Sequence, residues 1–184
     1  MSRLFPIQAY EQALSEGGLD APLAAAMPDL PPDDARQRVQ TLFGTFHELR
    51  PDAGETLFLR TPGRIELSGN HTDHNNGHVL AAAIQLDMLG LAAPRTDSRV
   101  RILSLGYDHL LEVDLSDLAP RQEEQGTPEA MIRGAAASLA KQGRTIGGLD
   151  AVVHSRVPEG SGLSSSAAFE VFNADLHNHL YSDQ

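Results

Sequence analysis

Cysteine is absent from the 184 residues, which removes both a disulfide framework and a thiolate metal site from consideration. No apolar run is long enough to span a bilayer, and the N-terminus lacks the charged-then-apolar layout of a signal peptide. Positive charge is scarce: 14 Lys and Arg against 25 Asp and Glu give a formal net charge of −11. Phosphate backbones recruit Lys/Arg surfaces, so this balance argues against a nucleic-acid partner. There is no internal repeat and no low-complexity array. These shortages together point to a soluble, cytoplasmic protein without a membrane partner. What remains is ample for folding, since 41% of the residues are hydrophobic and the length suits one domain.

Residues 1–32 read as an N-terminal extension and linker. They hold a short helical piece (Ile7, Tyr10, Leu14), an Ala- and Pro-rich segment, and a prolyl linker from Pro28 to Pro32. The domain proper is expected over 33–184. Asp33 or Asp34 is expected to cap a helix whose residues Val39, Leu42, Phe43, Phe46 and Leu49 form one packing stripe, ended by Pro51. Strands are predicted around Leu57–Arg60, Val79–Met88, Arg99–Leu105 and Leu111–Leu115, with a polar loop from Leu118 to Gly126. Thr127-Pro128-Glu129 has the cap, first-turn proline and early acid of a helix start. Leu149–Val153 comes next as a strand. Successive short strands favour an antiparallel sheet over a doubly wound one, so the predicted fold class is α+β, mostly antiparallel, with helices packed on one side.

Two stretches carry chemistry. The later one is Val157-Pro158-Glu159-Gly160-Ser161-Gly162-Leu163-Ser164-Ser165-Ser166-Ala167-Ala168. It feeds a helix marked by Phe169, Phe172, Leu176 and Leu180, with Val171 beside them. Glycines let backbone N–H groups approach a ligand closely, and the serines supply hydroxyls and a helix cap. Such a turn at a helix N-terminus suits a polyphosphate, because unpaired amides and the positive end of the helix dipole face one point. It is not a Walker loop, because no lysine is present, nor a nucleophile elbow, because Ser166 stands where Gly-x-Ser-x-Gly needs its last glycine. A solvated Gly/Ser turn before an ordinary helix fits the same residues.

The earlier stretch runs Thr61-Pro62-Gly63-Arg64-Ile65-Glu66-Leu67-Ser68-Gly69-Asn70-His71-Thr72-Asp73-His74-Asn75-Asn76-Gly77-His78-Val79-Leu80, polar between two strand-like flanks. Read alone it admits a surface ion pair for Arg64, a hydrogen-bonded turn at His71, Asp73 and His74, or a metal cluster at those three. Taken together, the two stretches resemble the galactokinases of the GHMP small-molecule kinase family. Pro-Gly-Arg, Gly-x-His-Thr-Asp and Gly-x-Val-Leu are similar to the family's sugar signature, and the Gly/Ser turn to its phosphate loop.

The resemblance implies a ribosomal-protein-like N-terminal kinase domain and ATP-dependent phosphorylation of galactose at its anomeric hydroxyl, with Mg²⁺. It puts Arg64 near the reacting oxygen, where an always-charged fork of donors steadies the transferring phosphoryl group. Asn70, His71 and Asp73 fall at sugar-binding positions. Gly160, Gly162, Leu163, Ser164 and Ser165 fall at the phosphates, and Ser166 at the metal. The region from Pro128 to Arg133 is expected beside the adenine, although it has no aromatic to stack the base. Asn70 and His74 depart from the family's usual glutamate and tyrosine. The full-length family is expected to be monomeric. The likeness covers the N-terminal half only and stops short of the family's catalytic aspartate, so low turnover is expected of this chain by itself. A non-catalytic sugar and ATP sensor, or a kinase for another sugar, stands as the alternative.

Overall fold

The computed structural model describes residues 4–70, 72, 75–107 and 109–182. Six strands form one sheet: β1 (Phe5–Pro6), β2 (Glu55–Ser68), β3 (Leu80–Pro94), β4 (Arg99–Ser104), β5 (Leu110–Asp114) and β6 (Leu149–Ser155). Their order is β1-β2-β3-β6-β4-β5, and every pairing is antiparallel except β4 with β6. That parallel pair arises because the chain leaves β5 through α4 (Pro128–Lys141) and returns to insert β6 between β3 and β4.

The α+β class and the mostly antiparallel sheet match the sequence expectation, but the helices occupy both faces. Helices α4 and α5 (Ser165–His177) pack on Met88, Ala92, Ala151 and Val153. Helices α1 (Ile7–Ser15), α2 (Asp20–Ala26) and α3 (Pro32–Leu49) cover Leu89, Leu91, Ala93 and Val152 on the other side. The physical reason lies in β3. Its last seven positions before Pro94 are buried without alternation, so each face carries apolar side chains and each needs a cover. Accordingly Ile7, Leu14, Leu23 and Met27, from the segment expected as extension and linker, lie within the same core as α3.

Helix α3 begins two or three residues earlier than expected. Pro31 takes the cap position without a side-chain bond, and Asp33 and Asp34 sit in the first turn, where they complement the helix dipole. Thr127 does cap α4, its Oγ1 accepting from the Ala130 N–H at 3.4 Å. Two ionic clusters pin α3 across β6. Arg38 donates to Asp87 Oδ1 at 2.6 Å and to the His154 carbonyl at 2.8 Å. Arg50, Arg95 and Arg101 converge on the fully buried Asp150.

Gly90 of β3 lies under the buried ring of Phe172, and a Cβ there would stand 2.1 Å from the ring's Cζ. Gly90→Ala is therefore expected to destabilise by about 1–3 kcal/mol through overpacking. A lowered denaturant midpoint with unchanged slope would register it.

Candidate functional site

Strand β2 does not stop at Arg60 but continues to Ser68, carrying the earlier motif out along a long hairpin with β3. Its ladder breaks at Gly63: Pro62 pairs with Asp87 and Arg64 with Ala83, leaving residues 84–86 opposite a single glycine. A bulge of this kind bends the hairpin and re-aims the residues beyond it. The glycine suits this approach, because a Cβ on Gly63 would lie a tight 3.1 Å from both the Leu163 carbonyl and Val157 Cγ2. Close approach lets the Arg64 N–H donate to the Leu163 carbonyl at 3.1 Å. The two sequence motifs, about a hundred residues apart in the chain, thus meet through their backbones. Arg64 itself is half-buried.

Beyond β2 the chain turns at Gly69 (φ +121°), Asn70 (φ +52°) and Asn76 (φ +61°). The turn folds around Thr72, whose carbonyl accepts from Asn75 and Gly77, and whose hydroxyl donates to the Gly69 carbonyl at 2.8 Å. Asn70 is exposed on it. His71, Asp73 and His74 lie outside the described residues, so the sugar contacts expected of the first two, and the metal alternative for all three, rest on the sequence. No group of three His, Cys, Asp or Glu among the described residues is arranged to hold a metal ion.

At the later motif, Gly160 (φ +66°), Gly162 (φ +75°) and Ser164 (φ +62°) alternate with ordinary residues, the kind of backbone that turns successive N–H groups into one concavity. A Cβ on Gly160 or Gly162 would meet nothing within 4 Å, so the loop stands open at both. Ser161 steadies it internally, donating to the Pro158 carbonyl at 2.7 Å. Ser164 occupies the cap position of α5, but its left-handed backbone makes no side-chain cap bond. The expectation of a capping serine is corrected accordingly. The amides of Ser165, Ser166 and Ala167 lack helical acceptors, as the first turn of any helix does, and no side chain caps them from position 164. Unpaired amides at the positive end of a helix can bind an anion.

Ser166, exposed in that first turn, lies at one end of a groove of about 720 Å³ between α4 and α5. Thr127, Ala130 and Met131 line its α4 side, and Glu170 and Val171 its α5 side. The segment expected beside an adenine is therefore continuous with the serine turn. None of the lining residues is aromatic, in keeping with the sequence. Val171 is half-exposed in this groove rather than buried with Phe172.

A strand-borne arginine fastened to an open glycine–serine turn at a helix N-terminus is an arrangement for handling phosphate. Residues 45–94 match the galactokinase galactose-binding signature, and residues 130–184 match the N-terminal domain of the GHMP kinases. Both motif-bearing segments are thus similar to the GHMP kinases, whose members are ATP-using phosphotransferases. Within that family it shows a relationship to the galactokinases in particular. The galactokinase of Lactococcus lactis, solved with galactose, is 31% identical with a TM-score of 0.69, over 77% of this chain and 37% of that one. The mevalonate kinase of Methanococcus jannaschii shares the fold at 16% identity and TM-score 0.55, over 68% of this chain and 40% of that one. The chain thus spans well under half the length of either. No helix among the described residues is long and apolar enough to cross a membrane.

Proposed function

We propose that this chain supplies the sugar and polyphosphate sites of an ATP-dependent galactokinase, which transfers the γ-phosphoryl group of ATP to the anomeric oxygen of galactose. In that reaction the sugar oxygen bonds to the γ-phosphorus, the bond to the β,γ-bridging oxygen breaks to release ADP, and the hydroxyl proton passes to a general base or to water. The protein's task is alignment and charge stabilisation. Asn70, His71 and Asp73 hold the sugar hydroxyls, and Arg64 faces the charge that moves during transfer. Gly160, Gly162, Leu163, Ser164 and Ser165 cradle the phosphates. The adenine takes the groove beside Met131, whose thioether adapts to a flat ring in place of an aromatic.

The Ser166 hydroxyl, exposed at the head of the groove, fits a hard cation that arrives already bound by phosphate oxygens, which is the usual state of Mg²⁺. When bound, Mg²⁺ neutralises phosphate charge, while the loop amides orient the same oxygens.

The observation that carries this reading is the Arg64 N–H to Leu163 carbonyl bond, which joins the strand of the sugar signature to the serine turn. Calorimetry with galactose, glucose, mannose and mevalonate, with and without a non-hydrolysable ATP analogue, tests it. Galactose-selective heat strengthened by the nucleotide is the expected result. Selective binding of another of these ligands overturns the sugar assignment, and no response to the nucleotide overturns the kinase reading. Gly162→Ala should remove most pyrophosphate binding. It should cost only about 1–2 kcal/mol of stability, because the left-handed backbone alone opposes the methyl group. Parallel melts and titrations separate the two effects.

A further inference from the structure

An acidic side chain stands inside the anion loop. Glu159 immediately precedes Gly160, is exposed, and is paired with no cation among the described residues. A carboxylate there opposes a polyphosphate in two ways. It repels the ligand by charge, and it is itself an anion able to swing into the amide concavity next door. The loop needs a device that keeps this group away.

The turn between β4 and β5 provides one. It is built against the end of β6, with Leu105 N–H donating to the Val153 carbonyl at 2.8 Å, and it closes on itself through Tyr107 N–H to the Ser104 carbonyl at 3.1 Å. From this base the Tyr107 hydroxyl donates to Glu159 Oε1 at 2.7 Å. The neighbouring carboxylate raises the Tyr107 phenol above its usual range, so the group stays protonated and remains a donor. The same turn reaches the first turn of α4, where His109 Nε2 lies 3.7 Å from Glu129. It therefore links the Glu159 turn to the first turn of α4.

We propose that Tyr107 is a positioning residue of the phosphate loop: its phenol tethers the Glu159 carboxylate away from the amides of Gly160 and Gly162, keeping the cradle open for polyphosphate. The inference rests on the phosphate-loop reading above. Because the contact lies on the surface, it acts on anion affinity and contributes little to fold stability.

Titration of the chain with inorganic pyrophosphate at low salt tests it. Tyr107→Phe is expected to weaken binding about fivefold, the order of letting one like charge move to within several ångströms of the ligand at the protein surface. Its melting temperature should match the wild type. In a Glu159→Gln background, where no charge needs tethering, Tyr107→Phe should have no effect. The wild-type advantage should also shrink as salt rises and screens the carboxylate, a response that a merely structural role would not show. Wild-type binding with an unaffected Tyr107→Phe variant overturns the tether, as does an equal loss in the Glu159→Gln background. Absence of pyrophosphate binding by the wild type instead overturns the phosphate-loop reading on which it depends.

Discussion

Replacing Asp87 by alanine is expected to lower the unfolding free energy by about 3–5 kcal/mol, the range for leaving a buried charge without its partner. Asp87 is fully buried between two guanidiniums, Arg38 with 4% of its side chain exposed and Arg60 with 30%. Arg60 can turn toward water when the carboxylate is gone. Arg38 cannot. It is enclosed by Met27 Sδ, the His154 ring and two carbonyls, and burial already pushes its pKa down. Carbonyls satisfy its N–H groups but do not cancel its charge. Since whole domains are stable by only about 5–15 kcal/mol, a loss of this size leaves a protein that unfolds in mild denaturant. The surface pair Arg36–Asp20, exposed by 33% and 49%, serves as the control: Arg36→Ala should shift stability by less than about 1 kcal/mol. Equilibrium denaturation of both variants decides the matter, and an Asp87→Ala midpoint at the wild-type value would disprove the account. The loss should reach the phosphate loop as well, because the Asp87 carbonyl accepts from the Arg156 N–H at 2.7 Å, just ahead of Val157.

Acid should weaken the fold through His177. This side chain is fully buried in α5, with Tyr181 as an aromatic neighbour at 6.3 Å, and neither ring nitrogen has a hydrogen-bond partner among the described residues. Burial pushes its pKa down to about 4. The unfolded chain's imidazole takes up a proton as pH falls through about 6.5, while the folded one stays neutral until about 4. The unfolded state is thus favoured across that window. The histidine's contribution is fully present above pH 6.5, is lost progressively down to pH 4, and changes no further below. That interval corresponds to about 3 kcal/mol. His154 is also pushed down, by burial and by Arg38, and adds in the same direction, so the difference between wild type and His177→Met isolates the one group. The variant should lose the His177 part of the acid slope. It should also gain about 1–3 kcal/mol at neutral pH, because two unsatisfied polar atoms leave the core. Identical pH–stability curves for the two proteins would refute this.

Where side-chain periodicity governs structure, the sequence was readable. The stripe from Val39 to Leu49 and the Thr127 cap found α3 and α4, and the alternation at Leu111–Leu115 found β5. It failed where a pattern had two readings. The unbroken apolar run of β3 announces burial but not that two helical layers share it, so residues 1–32 read as an extension and linker although Ile7, Leu14, Leu23 and Met27 pack with α3. The parallel β4–β6 pair depends on where the chain returns after α4, which no local signal records. At the site, the glycines and serines marked the loop, yet Ser164 proved to be a left-handed hinge rather than a side-chain cap. The Tyr107–Glu159 contact spans 52 residues between two surface turns, and neither turn has a periodicity that could announce it.

The hydrogen bond between Arg64 and Leu163 runs from one main-chain atom to another. Neither its donor nor its acceptor belongs to a side chain. Charge can therefore be removed from residue 64 without uncoupling the pieces of scaffold that meet there, so chemistry and architecture become separable variables at this one place in the molecule.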